Sequence, residues 1–396
     1  MAARAKDNAE YLVEQTITKR ERELQLVNMG LTSLPDAITG LTRVKRINLG
    51  LNELTSLPGE LGNLTQLTRF VAAGNRLKSL PFEFENLVNL VELDLSSNEF
   101  TKLPSQIADM GQLETLKMAE NALDLTSARV LVPTMLARLD FARNRLKIVP
   151  RDIGTITTLR ELVLSNNELS EFPEEVLGLK NLERLMLSNN TITAVPGEIS
   201  KLRSLRELSL ARCGLSEIPD TVGNLKRLKI LILRNNALTE LPATLGFLSR
   251  CKKLDVEGNE LTQLPRQLSG MTALEELYLQ HNGLTELPAD LGALTSLVTL
   301  NVAGNALTAL PPAMHACDSL AVLNMDDNPL NPKFEKVFNK GLLALLAHLK
   351  KVFARSGARY PSATRSALSS GGGSSSTSRK VTFGSGDDSD ASSSRR

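Results

Sequence analysis

The stretch L-R-E-L-V-L-S-N-N-E-L-S-E-F-P-E-E-V-L-G-L-K-N runs from Leu159 to Asn181, and at Leu182 the same phrase begins again as L-E-R-L-M-L-S-N-N-T-I-T-A-V-P-G-E-I. Within it Leu162 and Leu164 flank Val163, the two-residue period of a strand with two side chains inward and one outward. An Asn follows at 167 and a Pro six residues later at 173. The Pro fixes φ and cannot continue a strand ladder, so the chain turns away there. Beyond it Val176, Leu179 and Leu182 recur every third residue, and one edge of a short helical or extended segment faces the same core.

Working outward, the internal Asn serves as a ruler. It reads Met29, Asn52, Asn75, Asn98, Asn121, Asn144, Asn167, Asn190, Cys213, Asn236, Asn259, Asn282, Asn305 and Asn328, every step 23 residues. Pro stands six residues after twelve of these fourteen positions; Ser127 and Phe334 take the other two. Such a unit cannot bury its apolar face alone, so the copies must stack and the ends of the stack need covers. A buried Asn at this position can bond loop groups that would be costly to leave unpaired.

The phrase L-x-x-L-x-L-x-x-N-x-L-x-x-L-P resembles the leucine-rich repeat in its 23-residue intracellular form, and its Leu-x-x-Leu-Pro half is most similar to the Ras-group scaffolds. The resemblance implies an α/β solenoid, a leucine-rich-repeat horseshoe with a concave parallel β-sheet. The expected organisation is an N-terminal cap helix over 1–23, fourteen repeats over 24–331, a C-terminal cap helix over 332–356 and a disordered tail over 357–396. Ala9, Leu12, Val13, Thr16 and Ile17 share one face of the first helix, which reads as a cap or as a partner-binding helix. Leu342, Leu345, Leu346, Leu349 and Phe353 do the same in the last, where basic residues follow and suit the helix dipole. One repeat, at 122–135, lacks the Leu-Pro pair; it reads as a re-routed loop or as a lateral contact site.

Composition narrows the function classes. The net charge is +2, Trp is absent and aromatics are 4%. No strong field draws nucleic acid or membrane to the whole molecule, and no run of the sequence is long and apolar enough to span a bilayer. The N-terminus shows no apolar signal region, and Cys213, Cys251 and Cys317 are scattered, so a reducing, cytoplasmic (or nuclear) setting is expected. No phosphate-binding loop, nucleophile elbow or metal-ligand spacing is present. The chain is expected to be non-enzymatic, without cofactor or metal. A recognition subunit of a larger enzyme complex and a receptor ectodomain are the readings from other classes.

Two candidate sites stand out. On the outward strand positions Val163, Met186, Ile230, Ile232 and Tyr278 form an apolar island rimmed by Arg138, Glu161, Arg184 and Glu207. A binding patch and the ordinary scatter of β-formers both fit it. In the tail, Lys380-Val381-Thr382-Phe383 resembles the R-V-x-F docking motif of protein phosphatase 1 regulators. That resemblance implies recruitment of the phosphatase catalytic subunit, with Val381 and Phe383 as apolar anchors, Lys380 meeting acidic groups and Thr382 as a phosphosite that weakens docking. The alternative is a Ras-family GTPase pathway adaptor that works through the concave face alone.

Overall fold

In a computed structural model the protein is described over residues 2–125 and 133–356, with side chains from residue 5. The tail motif Lys380–Phe383 and residues 126–132 of the irregular segment at 122–135 lie outside the described residues. Internal contacts divide the chain into two compact units, the first ending at Ala237 and the second beginning at Leu238.

The first unit opens with α1 (Ala2–Thr18), which packs against the first repeat. Ala9, Val13 and Thr16 are buried there, whereas Leu12 and Ile17, expected on the same face, are more than a third exposed. Ten three-residue strands follow: β1 (Glu23–Gln25), β2 (Arg46–Asn48), β3 (Arg69–Val71), β4 (Glu92–Asp94), β5 (Thr115–Lys117), β6 (Arg138–Asp140), β7 (Glu161–Val163), β8 (Arg184–Met186), β9 (Glu207–Ser209) and β10 (Ile230–Ile232). Each pairs in parallel with the next at a 23-residue offset, for example Leu162 with Leu185. The second unit holds β11 (Lys253–Asp255), β12 (Glu276–Tyr278), β13 (Thr299–Asn301) and β14 (Val322–Asn324), paired in the same way.

Each of the twelve Pro residues in the column precedes a five-residue 3-10 helix, as Pro173 does Glu174–Gly178. The Pro is extended (φ −71° at Pro173), and the helix closes when the following N–H bonds back three residues. Four glycines at the fourth position after the Pro are there because neighbouring turns touch. A Cβ on Gly154 would lie 2.6 Å from the Glu175 carbonyl oxygen, and one on Gly62, Gly246 or Gly292 would overlap the corresponding carbonyl of the next turn.

The Asn column is a buried ladder. The Oδ1 of Asn190 accepts from Leu169 N–H at 3.0 Å, and its Nδ2 donates to the carbonyls of Leu164 and Leu187 at 3.1 and 2.7 Å. One amide thus ties its own loop to the preceding repeat. Immediately before each ruler position the backbone is left-handed, at Leu51, Glu120, Arg143, Arg212 and His281 as well as at Asn and Gly.

The single C-terminal helix expected over 332–356 is two helices, α2 (Pro332–Phe338) and α3 (Leu342–Arg355). Gly341 separates them at φ 101°, a conformation open to Gly and closed to side-chain-bearing residues. Leu342, Leu345 and Leu349 are buried, while Leu346 and Phe353 are half-buried. The Phe353 ring lies 5.0 Å from that of His315 in the last 3-10 helix.

Candidate functional site

Strand pairing in the first unit aligns the outward residues into columns. Arg138, Glu161, Arg184, Glu207 and Ile230 form one, on β6 to β10. Asp140, Val163, Met186, Ser209 and Ile232 form the other. Eight of the nine sequence-selected positions therefore share one stretch of sheet. Val163, Met186, Ile230 and Ile232 are half-buried, and Ser209 interrupts the apolar run between Met186 and Ile232. Ser209 is buried, with its hydroxyl 2.6 Å from that of Ser188. Tyr278 stands on β12 in the second unit. There Lys253 Nζ sits 4.7 Å from its ring centre, and its hydroxyl bonds Glu276 at 3.1 Å. Burial, with the Glu276 and Asp255 carboxylates, pushes the Tyr278 phenol up to about 12.

The residue just before each strand adds a third column that the two-residue alternation did not reveal. Arg160, Glu183, Arg206 and Lys229 join Arg138, Glu161, Arg184, Glu207 and Ile230 around a cavity of about 340 Å³. Arg184 pairs with Glu161, and Glu183 is shared by Arg160 at 3.2 Å and Arg206 at 3.3 Å. The Glu161 hydrogen bond holds the Arg184 guanidinium above its ordinary pKa. Five cations face three carboxylates, so the trough keeps a surplus of two positive charges. The signal for this column was the run of charged residues one position earlier, Arg160, Glu183, Arg206 and Lys229.

Other outward residues serve the fold. Asn48, Asp94, Asp140, Asp255, Asn301 and Asn324 each accept the backbone N–H two residues on through Oδ1. Such local bonds brace the chain as it leaves the strand. Asp140 is partly buried, and loss of hydration pushes its carboxyl above the usual value, opposed by the Ala142 N–H.

The thiols are also structural. Cys213 occupies the Asn column and its Sγ donates to the Leu187 carbonyl at 3.4 Å. Burial pushes it up to about 11, and Cys317 up to about 12, so neither is a nucleophile at neutral pH. Among the described residues no group of three His, Cys, Asp or Glu side chains could hold a metal ion. No helix among them is long and apolar enough to cross a membrane.

Comparison with protein-family profiles matches "Leucine-rich repeat region" over residues 198–282 and "Leucine rich repeat" over 157–215, 272–330 and 89–110. Among solved structures, a leucine-rich-repeat protein of Leptospira interrogans is 31% identical, with a TM-score of 0.72, over 83% of this chain and 96% of that one. The effector YopM of Yersinia pestis is 25% identical, with a TM-score of 0.65, over 82% of this chain and 88% of that one. The Arabidopsis receptor kinase HAESA, in complex with the peptide hormone IDA and the co-receptor SERK1, is 29% identical with a TM-score of 0.59, over 78% of this chain and 58% of that one. No curated protein matches. The chain belongs to the leucine-rich-repeat family, and its fold is that of a protein-interaction scaffold.

Proposed function

We propose that the protein is a non-enzymatic, intracellular signalling scaffold that binds a client protein on the sheet face of β6 to β10. The observation that carries this is the trough itself. A cationic surplus lies beside half-buried Val163, Met186, Ile230 and Ile232, whereas Asn48, Asp94, Asp140, Asp255, Asn301 and Asn324 are occupied with bracing the backbone. A client segment with an apolar side chain and a neighbouring carboxylate meets both features. The HAESA complex with a peptide hormone supports a polypeptide as the kind of ligand.

The second function is recruitment of protein phosphatase 1 through Lys380-Val381-Thr382-Phe383. Ser and Gly dominate the intervening tail, so a tethered phosphatase would act on the client at raised effective concentration. A Ras-family GTPase is the alternative client, favoured by the Ras-group likeness of the repeats. Two full-length variants separate the functions. Met186→Glu should lose the client and keep the purified phosphatase catalytic subunit; Val381→Ala/Phe383→Ala should do the reverse. Equal phosphatase recovery by the wild-type and tail-variant chains would refute the docking motif.

A further inference from the structure

In the second unit each strand passes its hydrogen bonds to the next. Val302 N–H donates to the Asn324 carbonyl at 2.9 Å and Gly304 N–H to that of Asp326 at 2.9 Å, while the Val298 carbonyl accepts from Ala321 and Val322 at 2.9 and 3.0 Å. One repeat further on, the equivalent groups are Met325 N–H, Asp327 N–H and the Ala321 carbonyl. None of the three has a hydrogen-bond partner among the described residues. The C-terminal helix α3 packs against the 3-10 helix Pro312–Ala316, on the other side of the last repeat. The strand is correspondingly open: Val322 is 37% exposed, and Leu323 is 8% exposed where Leu277 and Leu300 are 0%.

We propose that this edge of β14 receives the chain's own segment Ser378–Phe383, added as an antiparallel strand. An unpaired edge is a template for another strand. The forty residues after Ser356 contain one run of strand-formers, Val381-Thr382-Phe383, preceded by Arg379-Lys380. Asp326 and Asp327 are exposed at the C-terminal end of β14. Antiparallel addition sets the basic pair beside the acidic pair; parallel addition would not. Twenty-one residues separate Ser356 from Ser378. A Ser/Gly-rich tether of that length reaches about 25 Å and holds its end at about millimolar effective concentration. Another chain has to compete with that. The docking itself is independent of the phosphatase reading. If that reading holds, the consequence is regulatory, because residues paired to β14 are withheld from a second sheet edge.

The test is amide hydrogen exchange on the full chain without any phosphatase, comparing wild type with Val381→Pro, a change outside the repeats. Met325 and Asp327 amides should exchange at least ten times faster in the variant, independently of protein concentration. In a second chain, Asp326→Lys/Asp327→Lys, the Thr382 amide should lose its protection. Equal rates for Met325 and Asp327 in wild type and Val381→Pro would overturn the proposal. So would protection that rises with concentration together with dimer formation, which would assign the edge to a second copy.

Discussion

Replacing Cys213 by Asn should stabilise the protein, and the size of the gain follows from what its column does elsewhere. Asn190 satisfies three buried backbone groups, one of them the Leu169 N–H through Oδ1. Cys213 donates from its thiol, but the Ile192 N–H, which stands where Leu169 does one repeat earlier, has no hydrogen-bond partner among the described residues. Ile192 is fully buried. A buried donor left unpaired costs about 1–3 kcal/mol. Part of that is offset by fixing the amide side chain, so Cys213→Asn should gain about 1–2 kcal/mol. Thermal and urea unfolding followed by far-ultraviolet circular dichroism measures it. The reverse change, Asn190→Cys, should lose a comparable or larger amount, because it strands the Leu169 N–H and returns only a thiol. If Cys213→Asn left stability unchanged or lowered it while Asn190→Cys was harmless, the ladder would not be a source of stability.

Gly246→Ala should cost about 1–3 kcal/mol, because its methyl group overlaps the Gln267 carbonyl of the next turn and that backbone must shift. Gly111→Ala, where a Cβ meets nothing within 4 Å, is the control and should be close to neutral in a denaturant melt. Asp140→Asn should raise the melting temperature at pH 7 while keeping an acceptor for the Ala142 N–H, as Asn48 does for Gly50. The sign follows from the raised carboxyl: folded Asp140 holds its proton more tightly than the unfolded chain, so wild-type stability falls as pH rises from about 3.9 through the folded value. The difference between variant and wild type should therefore shrink as the pH drops toward 4, and a difference that grew in acid would contradict the cause given.

The repeat was legible because Leu162, Leu164, Asn167 and Pro173 each perform a role that only a few residue types can fill. Leu fills the core, Asn both donates and accepts, and Pro turns the chain. The left-handed residue before each Asn escaped notice because Leu51, Glu120, Arg143 and His281 occupy it as readily as Gly74 does. Tertiary bonding from the next repeat holds them there, against local preference. The break between α2 and α3 was masked by continuous helical spacing, although Gly341 marks it. At the site, two-residue alternation found Glu161, Val163, Arg184 and Met186 but missed Arg160, Glu183 and Arg206, which precede the strands and still line the trough. Burial of Ser209 and Asp255 on the outward face was not legible either, since it depends on neighbours 23 residues away.

The central claim is that the outward charges of β7 and β8 serve recognition and not the fold. Exchanging them, Glu161→Arg with Arg184→Glu in one full-length chain, keeps an ion pair across the two strands and reverses its direction. An exposed pair contributes about 0–1 kcal/mol, and the exchange also sets like charges beside Arg138 and Glu207 at a cost of up to about 1 kcal/mol each, so the double variant should stay folded and melt within about 2–3 kcal/mol of wild type. Client capture, read as the fraction of the wild-type partner retained at equal bait concentration, should fall at least tenfold. A double variant that folds equally well and captures the client at full strength would contradict the claim.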